Sequence, residues 1–346
     1  MNTIGLDIGG ANLKAVLLRD DQRERIRAIE VPFAMWTRWR ELQSTLSEIV
    51  DQIDPEQSCR RIAVTMTGEL ADCFTSKKEG VAYIADAVGK MARGNPVFIY
   101  QVDGNWSRCE AAEENWQLIA ASNWHAMARI GAKFLPQQTG LIIDVGSTTT
   151  DVTPVANGQP QAVGANDFTR LENLELIYAG AGRTPVCSLI QSVNVDDQNI
   201  PLAREFFATI SDALIHAGLM PEDLEVENTA DGRSNSKTNA AHRLARMVCS
   251  DAAEISSAVI DSIASQTIKI YRALLINAIK RAIQGAIDES EASIESVLLV
   301  GSGSFLAEQI LAEEFPQLTQ IALSQRINSA VNTCGPAYAV AALLRE

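Results

Sequence analysis

The chain has 346 residues, 47% of them hydrophobic, enough for two ordinary domain cores. Its 29 lysines and arginines against 43 aspartates and glutamates leave a net charge of −14. That charge argues against nonspecific binding to nucleic acid or an anionic membrane, so any anionic substrate must be met by local positive groups or metal ions. Six scattered cysteines without a Cys-x-x-Cys pair, and three histidines without metal spacing, indicate no zinc site and predict reduced thiols in the cytoplasm.

In chain order, apolar patterning predicts strands over 3–8, 13–19 and 26–33, a helix over 38–53, a strand over 60–66, a helix over 79–92, a strand over 96–100 and helices across 110–134. Three successive strands followed by strand–helix alternation imply a mixed sheet flanked by helices. The first strand begins almost at once with no basic-then-apolar leader, which predicts no signal peptide. A second domain restarts at Thr139 and repeats the opening hairpin. It continues through helical stretches over 203–219 and 236–287, a strand over 296–300 and closing helices over 305–315 and 335–345. The expected domains are 1–138 and 139–334, with the carboxyl-terminal segment 335–346 packing back on the first. The stretch from Asn228 to Asn239 is rich in Asp, Gly, Ser, Asn and Thr and reads as an exposed loop. Asp261, Lys269, Arg272, Lys280 and Arg281 interrupt the longest helical stretch, which therefore does not read as a membrane span.

One motif occurs twice. Asp7-Ile8-Gly9-Gly10-Ala11-Asn12-Leu13-Lys14 and Asp144-Val145-Gly146-Ser147-Thr148-Thr149-Thr150-Asp151 each follow an apolar strand-like run and precede another. Glycine in such a turn lets the backbone approach a ligand with N–H groups outward, and an aspartate at the strand end can hold a hydrated divalent cation. The ligand this suggests is a phosphate or diphosphate, cradled by Gly9, Gly10, Asn12, Lys14, Gly146, Ser147, Thr148 and Thr149, with Mg²⁺ near Asp7 and Asp144. A single Asp-x-Gly after a strand is a common exit from a sheet; two copies with matching flanks carry the argument.

Other segments hold more polar residues than a scaffold needs. A strand end runs into Glu69 and Asp72, where ligands bind in open α/β sheets, and either carboxylate is a candidate base or amine-orienting group; acidic residues favoured at a helix start give the same string. The turn Tyr178-Ala179-Gly180-Ala181-Gly182-Arg183-Thr184-Pro185 delivers an arginine whose planar fork suits an oxygen anion; a surface turn with a solvated arginine gives the same string. Asp231 lies in Thr229-Ala230-Asp231-Gly232-Arg233, and His242, Arg243 and Arg246 follow on a helix that either presents a basic face or sits in water.

The paired hairpins resemble the first and second phosphate loops of the actin, sugar kinase and Hsp70 superfamily. Val297-Leu298-Leu299-Val300-Gly301-Ser302-Gly303 resembles its third, adenosine-side motif. The resemblance implies a two-domain actin-like α/β fold of ribonuclease H type with an interdomain cleft. Together with Thr67-Gly68-Glu69-Leu70-Ala71-Asp72, Ser122-Asn123-Trp124-His125-Ala126, Gly182-Arg183-Thr184-Pro185 and Thr229-Ala230-Asp231-Gly232, the motifs are similar to the hydantoinase/oxoprolinase-like proteins of tetrahydromethanopterin-linked one-carbon transfer. That family includes a synthase of methanofuran biosynthesis, which joins an aminomethylfuran-methanol diphosphate to γ-glutamyltyramine through an ether bond. The resemblance implies a transferase that releases pyrophosphate, with Asn123, Trp124, Arg183 and Asp231 at the substrate. Superfamily sugar kinases carry an Asn-Asp pair whose aspartate is the base. The counterpart here is Asn123-Trp124, and tryptophan cannot accept a proton. An ATP-dependent kinase or hydantoinase-type ATPase, and a nucleotide-binding regulator, are the rival readings, with ATP in place of the diphosphate. The partner is a phosphorylated small molecule rather than nucleic acid or membrane, and homo-oligomerisation is left open.

Overall fold

The structure, a computed structural model, describes residues 1–20, 26–225, 229–289, 294–327 and 329–346. The first half builds a six-stranded sheet from β1 (Thr3–Ile8), β2 (Asn12–Leu18), β3 (Arg27–Pro32), β4 (Arg61–Met66), β5 (Val97–Tyr100) and β6 (Trp106–Ser107), in the order β3-β2-β1-β4-β5-β6. The second half contains β7 (Gly140–Val145), β8 (Thr150–Ala156), β9 (Gln159–Pro160), β10 (Leu176–Ile177), β11 (Ser192–Val195), β12 (Gln198–Pro201), β13 (Ser296–Val300) and β14 (Thr319–Ala322). Five of these form a sheet in the order β10-β8-β7-β13-β14, β9 adds to β8, and β11 and β12 form a separate ribbon.

The two sheets share one plan. An antiparallel hairpin, β1–β2 or β7–β8, is followed outward by two parallel strands, β4 and β5 or β13 and β14. A third antiparallel strand, β3 or β10, covers the other side of the hairpin. The inner parallel strands β4 and β13 are buried along most of their length, as strands with both faces covered must be.

Each sheet has its own core. In the first half, strand residues such as Ile4, Leu6 and Val64 pack with Leu46 and Ile49 of the helix Leu42–Ile53 and with Ile84 and Val88 of the helix Lys77–Met91. In the second, Leu141, Ile143 and Leu299 pack with Tyr271 and Leu275 of the long helix Ser257–Glu289. A third cluster joins Ala63 and Tyr100 of one sheet to Ile142 and Leu298 of the other through Met127 and Ile130 of the helix Asn123–Ala132 and Val340 of the helix Gly335–Leu343. The last helix lies directly on the first sheet: a Cβ on Gly5 would stand 2.0 Å from the Ala337 carbonyl oxygen, so glycine sets that spacing.

Departures from the sequence reading are confined to the second half and the edges. The helical region expected over 236–287 consists of two helices, Lys237–Arg246 and Ser257–Glu289, with Cys249 between them at φ +57°. Of the stretch 203–219 only Ile210–His216 is helical, started by Thr209, whose hydroxyl and backbone N–H meet the Asp212 carboxylate. The loop predicted from Asn228 begins outside the described residues. Among the described residues no helix is long and apolar enough to cross a membrane.

Candidate active site

A cleft of about 470 Å³ lies where the two hairpins meet. Asp7, Gly9, Gly10, Asn12 and Lys14 line it from one side, and Asp144, Gly146, Ser147, Thr148 and Thr149 from the other. Each turn closes on itself in the same way: the Gly9 N–H donates to the Asn12 carbonyl (3.0 Å), and the Gly146 N–H to that of Thr149 (2.9 Å). The Asn12 amide reaches the Ser147 hydroxyl at 3.5 Å, so the turn tips touch.

Of the carboxylates at the strand ends, Asp7 is buried and Asp144 half-buried. Burial pushes the pKa of Asp7 up to about 6, against the opposing pull of Lys14, and Glu30 and Asp151 push it further. For Asp144 burial and the neighbouring Asp151 carry it to about 7, again with Lys14 opposing. One oxygen of Asp7 has no hydrogen-bond partner. Burial works to lower the Lys14 pKa, but the carboxylates of Asp7, Glu30 and Asp144 together raise it, so its ammonium stays charged among them. It pairs with Glu30 at 3.8 Å.

Asp151 faces Asp144 across the second hairpin, and its charge is met from behind. Arg170, 1% exposed, donates to the Asp151 carboxylate at 2.6 Å and to the Glu175 carbonyl at 3.0 Å, and its guanidinium lies 4.1 Å from the centre of the Trp124 ring. The helix bearing Trp124 is fixed at its start by Ser122, whose hydroxyl bonds Thr65 (2.9 Å) and donates to the Tyr100 carbonyl (3.1 Å). Asn123 lines the cleft, while Trp124 is buried beneath it against Arg170. The position expected to carry a base in a kinase is thus an indole capped by a cation.

Asp72 lines the cleft and is exposed; Glu69 lies behind that wall, 1% exposed, with neither oxygen hydrogen-bonded. Burial raises the Glu69 pKa to about 8, Asp167 adds to the rise and Lys77 opposes it. Lys77 and Asp167 pair at 2.6 Å across the cleft, first half to second. Arg183 enters from the turn after β10, where its N–H donates to the Ser147 carbonyl at 2.8 Å.

Asp231 is elsewhere. It pairs with Arg243 (3.0 Å), a fully buried arginine that also holds Asp212 at 2.6 Å and so ties the helix Lys237–Arg246 to the helix Ile210–His216. Gly301, Ser302 and Gly303 do not line the cleft but back the second hairpin. Gly303 N–H donates to the Val145 carbonyl, and Gly301, at φ +91°, approaches so closely that a Cβ would stand 2.3 Å from the same oxygen. Trp36, Asp151, Asp167, Arg170 and Tyr178 line the cleft without having been selected from sequence as site residues. Of these, Asp151 closes the repeated motif and Tyr178 opens the polar turn that carries Arg183; the other three carried no signal.

A family model described as hydantoinase/oxoprolinase matches residues 60–344. The chain is 31% identical over 345 residues to the (4-{4-[2-(gamma-L-glutamylamino)ethyl]phenoxymethyl}furan-2-yl)methanamine synthase of Methanocaldococcus jannaschii, spanning 99% of this chain and 97% of that protein. It is 28% identical over 212 residues to a protein of the same name from Methanococcus vannielii, spanning 60% of this chain and 90% of that one. A nucleotide-free acetone carboxylase structure superposes with a TM-score of 0.61 at 9% identity, over 99% of this chain and 70% of that chain. That likeness and the duplicated sheet plan show the two-domain actin-like fold expected from the paired phosphate hairpins. The chain belongs to the hydantoinase/oxoprolinase family.

Proposed function

We propose that this protein condenses an aminomethylfuran-methanol diphosphate with the phenol of a tyramine, forming an aryl ether and releasing pyrophosphate. The observation that carries the reading is a cleft that unites two phosphate-type hairpins with no carboxylate at the kinase-base position, where Trp124 lies under Arg170. The near full-length relative named for the ether product supports it.

The outward N–H groups of the two turns, Lys14 and Arg183 would bind the diphosphate and spread its charge as it leaves. Asp7 and Asp144 suit Mg²⁺, since an unpartnered buried oxygen on Asp7 and two carboxylates raised by burial call for a cation. Among the described residues no three His, Cys, Asp or Glu side chains gather to hold a metal, which fits an ion that takes most of its ligands from water and phosphate. When bound, Mg²⁺ would neutralise charge on the leaving diphosphate. The bond from the furfuryl carbon to the diphosphate oxygen breaks with its electron pair on oxygen, and the furan oxygen stabilises the carbon cation. The phenol oxygen then attacks, and its proton, acidified as the new bond forms, passes to Asp72 in the cleft wall. Six unpaired cysteines fit a reducing, cytoplasmic setting.

The test is incubation with Mg²⁺, the furan diphosphate and γ-glutamyltyramine or tyramine, with pyrophosphate and ether assayed by mass spectrometry beside an ATP-only control. Ether formed without ATP is the expected result. ATP hydrolysis with no ether would return the protein to the kinase or ATPase class.

A further inference from the structure

Trp36 and Arg183 come from opposite halves of the molecule and meet at the cleft, with the guanidinium carbon 4.4 Å from the ring centre. Both follow the outer antiparallel strand of their own sheet, Trp36 after β3 and Arg183 after β10. Both are fastened to the phosphate turn of their own half. On the first side, Phe33 N–H donates to the Ala11 carbonyl (2.8 Å) and Met35 N–H to that of Gly10 (2.9 Å). On the second, Gly182 and Arg183 N–H groups both donate to the Ser147 carbonyl, at 3.0 and 2.8 Å. The stack therefore links one phosphate turn to the other. The Arg183 side chain forms no hydrogen bond or ion pair with any described residue. A guanidinium stacked on an indole has its face covered and its five N–H donors directed around the edge, the arrangement that suits a diphosphate.

We infer that Trp36 is a positioning residue, holding the Arg183 guanidinium across the cleft so that its edge meets the diphosphate and the two phosphate turns close over it together. This rests on the proposed diphosphate substrate. The stack spans the two halves, so binding of the anion by Arg183 and approach of the turns become one event.

Inorganic pyrophosphate with Mg²⁺, titrated calorimetrically into the full chain, reads the clasp without turnover. Trp36→Ala is expected to weaken pyrophosphate binding about tenfold, and Trp36→Phe, which keeps a ring face, to stay within about threefold of the unaltered protein. In an Arg183→Ala background, Trp36→Ala should cost nothing more, because the two act as a unit. In turnover, Trp36→Ala should raise KM for the furan diphosphate more than it lowers kcat. Equal binding by the unaltered protein and Trp36→Ala would overturn the clasp alone, as would a full tenfold loss in the Arg183→Ala background. An unaltered chain that neither binds pyrophosphate nor forms ether would overturn the proposed reaction and the clasp with it.

Discussion

The two hairpins have the same backbone and unequal charge. Asp7, Gly9 and Asn12 occupy the places of Asp144, Gly146 and Thr149, and the turn hydrogen bonds agree to within 0.1 Å. The residue that faces the strand-end aspartate is Lys14 in one hairpin and Asp151 in the other. A cation opposite Asp7 and an anion opposite Asp144 explain why burial of the same residue type ends at about 6 in the first case and about 7 in the second. Backbone geometry thus repeats the turn, while side-chain charge makes the halves unequal. The second half compensates its extra acid with Arg170, drawn from a different element and stacked on Trp124.

The sharpest way to break this arrangement is Arg170→Met. Removing one partner of a buried ion pair leaves Asp151 uncompensated and costs about 3–5 kcal/mol. Urea unfolding should show that loss, and adding Asp151→Asn should recover much of it. If the single and double variants were equally unstable, the Arg170–Asp151 pair would not be what balances the second hairpin.

Lys14→Met removes the cation that faces Asp7 in the first hairpin. The fold should survive by circular dichroism, while kcat/KM for ether formation falls about 10²–10³-fold, as for loss of a preorganised group facing developing negative charge. A loss below about tenfold would mean that the turn amides and Arg183 carry the diphosphate unaided.

The hairpins were legible because their chemistry is local: strand, aspartate, glycine turn and strand are contiguous, and repetition lifts them above chance. Arg170, Trp36 and Asp167 were not legible, since each reaches the cleft from an element whose position is set by sheet order. Arginines show the same limit on the far side of the second domain. The sequence left the helix of His242, Arg243 and Arg246 either as a basic face or in water, but Arg243 is buried on Asp212 and Asp231, an arrangement that helix periodicity alone does not reveal. The helical region over 236–287 is present, but its break was not legible: apolar residues continue through Met247 and Val248, while the chain turns at Cys249.

The comparison extends to the strands beside the hairpins. β13 ends in Gly301-Ser302-Gly303, which packs on the neighbouring turn, whereas the matching β4 leads into Glu69, whose carboxyl is buried without a partner. An unfolded glutamate ionises near 4.5 and the folded Glu69 near 8. Below the lower value both states hold the proton and no difference arises. Between the two, only the unfolded chain ionises, so folding stability falls as pH rises, by up to about 1.4 kcal/mol per unit, and levels off above the folded value. Glu69→Gln removes that dependence. Its stability relative to the unaltered protein should climb from pH 5 to pH 8 in urea titrations, and parallel curves would show that Glu69 is ionised in the fold.

The smallest effect is expected at the one ion pair that crosses beside Glu69. Lys77 and Asp167 are partly exposed, at 25% and 17%, so water screens them and Lys77→Met should cost about 0.5–1 kcal/mol, less at high salt. Its second consequence is more telling. Lys77 holds the Glu69 pKa down while Asp167 pushes it up, so losing the ammonium leaves the acid beside an uncompensated carboxylate. The pH window in which Glu69→Gln gains stability should then extend upward in the Lys77→Met background. An unmoved window would separate the cross-cleft pair from Glu69 and leave Lys77 as a tether between the halves alone.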